Sequence, residues 1–311
     1  MSHRIDVFDD FHLHGASAPE WNQRYAQVSR GVMHSRLTEF VGGHVHVFRK
    51  WISERVVQQG GLPRSQLCFA LSMRPGDGEP VAQGRPLPMD ALLVLRGGAE
   101  FTIQRPRNME MLAVTVDSDR FWSHVDAAKL TIPRQATQSS VLRISSEAAD
   151  DLRSKALALL ARTDPGPSAP ALVLDVLVRS LDAGSEATHS IGHATAAHLL
   201  AETHRLVVEA APEVPSVAEV CARLRVSRRT LQNSFHLLAG TTPLDFMRAI
   251  RLNAVRDRLR ESGHSELTVG QVASDWGFDH LSHFAECYGA LFGELPSVTP
   301  RMARFRSSTM D

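Results

Sequence analysis

The chain has 311 residues, 43% of them hydrophobic, and its 34 Lys and Arg balance 34 Asp and Glu. That length suits two domains with packed cores. No run of eighteen apolar residues is present, the start MSHRIDVFDDF lacks the apolar centre of a signal peptide, and the cysteines (Cys68, Cys221, Cys287) are few and far apart; a membrane span, a disulfide framework and a zinc knuckle are therefore excluded, and a cytoplasmic protein is expected.

Residues 1 to about 33 are polar and irregular; no regular structure is predicted there, and Trp21 and Tyr25 read as anchors on the following domain. From His34 to Asp117 the text changes to short alternating or β-rich segments: HSRLTEF, HVHVFRKW, SERVVQQ, QLCFALSM, ALLVLR, EFTIQR and MLAVTVD. Glycine pairs at 42–43, 60–61 and 97–98 punctuate them. Short strands at regular spacing predict a barrel or sandwich that can enclose a small ligand. If His44 and His46 share a strand, both imidazoles point to one face. Two ligands do not make a zinc or iron site, and Lys50 and Trp51 follow where a further acid would be needed, so no metal is expected. His264, His280 and His283 lack finger spacing and read as surface or turn residues.

Helical periodicity covers Asp119 to Ala128 and Ser145 to Ala161. TDPGPSAP (163–170) is a breaker, and ALVLDVLVRSL follows with Leu174, Leu177, Val178 and Leu181 on one stripe. That stripe needs a partner surface, either the β domain or a second copy of the chain in a homodimer. DAGSEATHSIGH (182–193) is a small-residue linker, after which Thr195 is expected to cap a helix running to about Ala211.

Residues 216–297 carry the clearest pattern. Ser216 and Glu219 spell a capping box, and Val217, Val220, Cys221 and Leu224 share a face. Ser227 caps a second short helix with Leu231, Phe235 and Leu238 inward, which leaves Arg229, Gln232, Asn233 and His236 outward. A long helix follows, capped by Thr242, with Pro243 first and Gly263 at its end. The plan then repeats. Val269, Val272, Ala273 and Trp276 face inward, Gly277-Phe278 turns, Asp279 caps, and Phe284, Tyr288 and Leu291 hold the last helix, with Ser282, Ala285, Glu286 and Gly289 outward. Two short helices at a tight turn, twice over and joined by one helix, predict tandem helix-turn-helix units at 216–239 and 268–292.

Charge is uneven along this stretch. From Arg223 to Arg260 nine arginines face only Asp245 and Asp257, a balance of +7; from Glu261 to Val298 six acids meet no lysine or arginine, a balance of −6. The first unit is expected to carry the electropositive footprint.

SRRTLQNSF, GTTP, RLNAVRDRL, VASDWGF and HFAECYGALFGELPS resemble the DNA-binding domain of the AraC/XylS family of bacterial regulators, and VSRRTLQNSFHLLAG with IRLNAVRDRL is most similar to regulators of ethanolamine-utilisation operons. The resemblance covers about residues 193–311 and more loosely the amino-terminal part, through RLTEF, VFRK and QLCFALSM. It implies an α+β chain: a cupin-like, β-rich effector-sensing domain (1–165), a helix and linker (166–192), and an all-α DNA-binding domain (193–311). It further implies promoter DNA, RNA polymerase and a small-molecule effector as partners, with ethanolamine and adenosylcobalamin as effectors, and activation of a catabolic operon. Base contacts are expected from Arg229, Gln232, Asn233 and His236, a phosphate contact from Arg228, and weaker contacts from Ser282, His283 and Glu286. The last helix departs from the family, where basic residues are usual and Glu286 stands here. Two rival readings are a cupin-type metal enzyme and a helical interaction module that does not bind DNA.

Overall fold

The computed structural model describes residues 2–9, 14–15, 19–42, 44–161, 166, 168–182, 185–186, 191–262 and 267–301. Contacts divide the chain into two compact units: Met1–Tyr25 with Met33–Ala197, and Ala26–Val32 with His198–Asp311.

The first unit is built on β1 Ser2–Phe8, β2 Arg24–Gln27, β3 Ser35–Gly42, β4 Val45–Ile52, β5 Val56–Gly61, β6 Gln66–Arg74, β7 Val81–Ala82, β8 Arg85–Pro86, β9 Ala91–Arg96, β10 Glu100–Arg105, β11 Met109–Asp117, β12 Ser140–Arg143 and β13 Ser185–Glu186. One sheet runs β1-β3-β4-β11-β6-β9-β12-β13 and the other β2-β5-β10-β7-β8. The barrel expectation is corrected here: the sheets remain separate and open. The reason lies in the alternation of the central strands. On β6, Leu67, Phe69 and Leu71 join one apolar cluster while Cys68 and Ala70 join another; on β9, Leu92 and Val94 split likewise from Ala91, Leu93 and Leu95. A sheet that is apolar on both faces needs a cover on each. One face is covered by α1 Ser118–Ala127, α2 Ser146–Leu160 and α3 Ala169–Asp182, and the other by the smaller sheet through Phe101 and Ile103.

The stripe of α3 is accounted for by this packing. Val173, Leu174, Leu177, Val178 and Leu181 are all buried in the cluster beneath the helices. The stripe therefore supplies no surface for a homodimer contact.

Several expectations about the amino-terminal part are corrected. Residues 2–8 form an edge strand paired to β3. Its apolar Ile5 and Val7 are 61% and 70% exposed, so no buried face announces it in the sequence. His44 lies outside β4, in a turn at φ 67°, so it does not alternate with His46, which instead meets Glu39 at 2.9 Å. Among the described residues no group of three or more His, Cys, Asp or Glu is placed to hold a metal ion. Part of the 182–193 linker forms β13, paired to β12. Most of the 163–170 breaker lies outside the described residues.

Candidate nucleic-acid interface

The second unit contains α4 Ile191–Glu209 from His198 onward, α5 Val217–Leu224, α6 Arg228–Ala239, α7 Pro243–Glu261, α8 Val269–Asp275 and α9 Leu281–Phe292. Helix α4 starts at Ile191, so Thr195 sits inside the helix and is not its cap.

Local chemistry fixes the first helical pair. Glu219 N–H donates to Ser216 Oγ at 3.3 Å, and Ser216 N–H donates to Glu219 Oε2 at 2.7 Å, closing the capping box that starts α5. These hydrogen bonds from Ser216 hold the Glu219 carboxyl below its usual range. Helix α5 stops at Arg225, in the left-handed region at φ 54°. Ser227 Oγ then accepts from Thr230 N–H at 3.0 Å and starts α6. Leu231, Phe235 and Leu238 point inward, and Phe235 meets Phe246 of α7 edge-on at 5.0 Å. With one face so anchored, the helical repeat of about 100° per residue turns the opposite face outward. Arg229, Gln232, Asn233 and His236 are exposed on it, Arg228 is exposed nearer the side of the helix, and among the described residues none of the five makes an ion pair or a side-chain hydrogen bond.

Helix α7 opens as its sequence predicts, with Thr242 Oγ1 accepting from Asp245 N–H at 3.1 Å and Pro243 in the first turn. It ends at Glu261 with Ser262 as cap, and Gly263 lies outside the described residues. Its arginines do not act as one footprint. Arg256 and Arg260 are buried, and Arg256 pairs with Glu294 at 3.0 Å above the Phe292 ring. Arg251 lies 4.4 Å from the Phe278 ring centre, and its Nη1 donates to the Gly277 carbonyl at 3.2 Å; desolvation, then Arg248, lowers its pKa. Arg248 pairs with Asp245 at 2.9 Å. The +7 of the sequence therefore overstates the charge offered to solvent, which resides chiefly in the exposed Arg223, Arg225, Arg228, Arg229 and Arg258.

The second pair is built around an aromatic cluster. Phe284 lies 5.0 Å from Phe278 and 5.6 Å from Tyr288, and Tyr288 lies 4.7 Å from Phe292. Gly277 takes φ 71° at the turn, and a Cβ there would stand 2.5 Å from the Pro212 carbonyl oxygen, so both conformation and space require glycine. Thr268 and Gln271 form a second capping box, at a spacing legible in the sequence. The cap of α9 is corrected: His280 holds that position without a side-chain bond, and Asp279 stands one residue too early. Ser282, His283 and Glu286 are exposed on α9. Glu286 lies 3.9 Å from His283 Nδ1, and Cys287 Sγ lies 3.6 Å from His283 Nε2.

One part of this unit has no signal in the sequence. Gln27 and Asn253 exchange two hydrogen bonds, at 3.1 and 3.0 Å. Gln27 Nε2 also donates to the Leu291 carbonyl at 2.7 Å, which accepts from Gly31 N–H at 3.0 Å. The strap 26–32 is thus stitched to α7 and to the end of α9. Its partners are more than two hundred residues away, beyond the reach of any local pattern.

With this geometry in view, comparison with known proteins is decisive for the second unit. Residues 220–302 match the model of the helix-turn-helix domain family. The carboxy-terminal unit therefore carries a helix-turn-helix domain. The XylDLEGF operon transcriptional activator of Pseudomonas putida is 40% identical over 79 residues, 25% of each chain. A probable thc operon regulatory protein of Rhodococcus erythropolis is 36% identical over 91 residues, 29% of this chain and 27% of that one. The match thus spans about a quarter of these relatives' length. By name they are transcription regulators, not enzymes. Among solved structures, the AraC-like transcriptional activator CuxR aligns over 89% of this chain and 99% of its own, at 14% identity and a TM-score of 0.45. Among the described residues no helix is long and apolar enough to cross a membrane.

Proposed function

We propose that this protein is a sequence-specific, ligand-responsive transcription activator that works in the cytoplasm. The observation that carries the reading is the outward face of α6. Four polar side chains stand there, with Arg228 at the side, and none of the five has an internal side-chain partner among the described residues, on a helix whose opposite face is locked down. Arginine can bond two acceptors of guanine, and glutamine or asparagine can bond adenine in the same two-point way. Arg229, Gln232 and Asn233 are assigned to bases, His236 to an adjoining position and Arg228 to a phosphate. On α9, Ser282 and His283 can approach DNA, while Glu286 must either accept from a cytosine amine or be repelled by phosphates. The second contact is therefore the weaker. Tandem units on one DNA face would occupy successive major grooves about 34 Å apart.

In this reading residues 1–165 sense a small molecule, 166–192 form the link, and 193–311 bind the promoter, with RNA polymerase as the downstream partner. The likeness to ethanolamine-utilisation regulators would make ethanolamine with adenosylcobalamin the effector pair. In the interior of the first unit Arg105 Nη2 donates to the Lys50 carbonyl at 3.0 Å, and two buried basic side chains beside a cavity of about 30 Å³ do not suit ethanolammonium or a cobalamin. A mobility-shift assay with the DNA upstream of the protein's own gene tests the reading. A discrete, competitor-resistant complex supports it. Binding no tighter than to random duplex would favour the interaction-module reading instead.

A further inference from the structure

The larger sheet of the first unit ends on β1 and β13, and the smaller on β2 and β8. Of these edge strands, β8 and β13 have two residues each and β2 has four, three of them buried, whereas β1 has seven. Strand β1 pairs with β3 without a break from Ser2 to Phe8, and among the described residues no strand pairs with its other side. It contains neither the proline nor the bulge that commonly blunts such an edge. The strand is also held in place, since His3 Nε2 lies 2.6 Å from the Leu160 carbonyl oxygen. Yet its Arg4, Ile5 and Val7 are exposed.

A free edge of this kind is a template for another strand, and its sequence says which one. SHRIDVF is its own antiparallel complement about Ile5. Laid against a second copy with a two-fold axis at Ile5, it sets Ile5 opposite the partner's Ile5, Arg4 opposite the partner's Asp6, Asp6 opposite the partner's Arg4, and His3 opposite the partner's Val7. Opposed residues share a face, with Cβ atoms about 4.5–5.5 Å apart. Both ion pairs therefore form on one face, and the exposed apolar residues cover each other on the other face. Within one chain Arg4 Nε lies 2.5 Å from Asp6 Oδ2, and Arg4 Nη1 lies 3.8 Å from Glu39 Oε1. The charged face thus already alternates in sign, and a second copy extends the alternation. Moving the axis to Arg4 or to Asp6 would instead set arginine against arginine or aspartate against aspartate. Charge selects the one register. Pairing of β1 with the β13 of another copy would match only two residues and would not close, whereas the self-paired arrangement closes at two chains.

We propose that β1 is a homodimer contact, in which two copies of the chain join their larger sheets edge to edge about Ile5. The contact is independent of the DNA reading and goes beyond it. A joined pair carries two helix-turn-helix domains, so it can engage two half-sites at once and gain affinity from their linkage. Seven paired residues per chain make an interface at the small end of the range, so a dissociation constant of about 1–100 μM is expected.

The test is sedimentation velocity of the full-length protein without DNA, over a concentration range that brackets that constant, with two charge variants. The native chain should pass from monomer to dimer. Arg4→Asp and Asp6→Arg, each alone, set like charges opposite each other at both pairs, and each should weaken association about tenfold or more. Mixed in equal amounts, the two variants restore both ion pairs in a heterodimer, so association should return to native strength. That recovery belongs to this register alone, and chains that had merely misfolded would not show it. Should either variant fold poorly, hydrogen exchange of the native protein decides, because amides in residues 3–7 should exchange more slowly as protein concentration rises. A native protein that stays monomeric throughout would overturn the proposal and leave the edge to a strand of another protein. Single variants that associate as tightly as the native chain would overturn it and place the contact on a different surface. A mixture no tighter than its components, or exchange that is independent of concentration, would overturn it as well. None of these outcomes bears on DNA binding by α6.

Discussion

Replacing Lys50 by methionine should stabilise the protein, by an amount that depends on pH in a calculable way. In the folded chain the ammonium is buried and its pKa falls from 10.5 to about 7. Between those values the unfolded chain holds a proton that the folded chain has lost. Stability of the native protein must therefore rise with pH through this window, and the Lys50 penalty is full below about pH 7. From pH 7 to 8.5 the gain is about 1.5 kcal/mol, somewhat less than one proton's limiting slope because Lys50 is half protonated at the start. For a unit of about 150–250 residues this is roughly 3–6 °C in melting temperature. The methionine variant should lack that rise, and its advantage over the native protein should be largest at pH 7. Loss of the bond to Tyr25 offsets the advantage by about 1 kcal/mol. The window is chosen to isolate Lys50. Burial holds His14 well below 6.5, which destabilises the fold only under more acidic conditions, and burial raises Cys68 to about 12, which acts only above about pH 9. Thermal unfolding of both proteins at pH 7.0, 7.5, 8.0 and 8.5 is the assay. Parallel curves would refute the argument, since they would mean that Lys50 titrates alike in the folded and unfolded chains.

Other expectations concern the DNA-binding unit. Arg229→Ala should cost about 1–3 kcal/mol of specific DNA affinity, whereas Glu286→Ala should leave affinity unchanged or raise it; titration of each variant by fluorescence anisotropy decides, and the opposite ranking would reverse the roles of α6 and α9. Gly277→Ala should lower the melting temperature of the second unit, because it combines a strained φ with a 2.5 Å approach to Pro212, at a cost of about 1–3 kcal/mol; an unchanged melt would show that the turn relaxes freely. Limited proteolysis should cut between about Asp164 and His193 and release a carboxy-terminal fragment that still binds DNA and ignores the effector. Because such a fragment lacks Gln27 and its bonds to Asn253 and Leu291, it should also melt below the intact unit; first cleavage within 215–297 would argue against separable domains.

What the sequence made legible is what local chemistry decides. The capping residues Ser216, Ser227 and Thr242, the inward stripes of α5, α6, α8 and α9 and the β-rich runs of β4, β6 and β9 all follow from neighbours a few residues apart. The misses share a different cause. Strand β1 exposes its apolar residues, so periodicity shows no buried face. The placement of His44 depends on a left-handed backbone that its residue type does not announce. Arg256 and Arg260 count as surface charge in a sequence, yet tertiary packing buries them. The exposed face of α6 was legible because a single well-anchored stripe determines it. The strap at Gln27 and the meeting of Lys50 with Arg105 were not, because each joins residues brought together only by the fold.

The central claim is that the chain reads promoter DNA through α6 and, more weakly, through α9. DNase footprinting of the native protein on the DNA upstream of its own gene tests this most directly, with Arg229→Ala run in parallel at the same salt concentration. The account predicts protection on one face of the duplex over two adjacent major grooves about 34 Å apart, with the variant losing the stronger half first. Protection that is absent, or that Arg229→Ala leaves intact while Glu286→Ala removes it, would contradict the account.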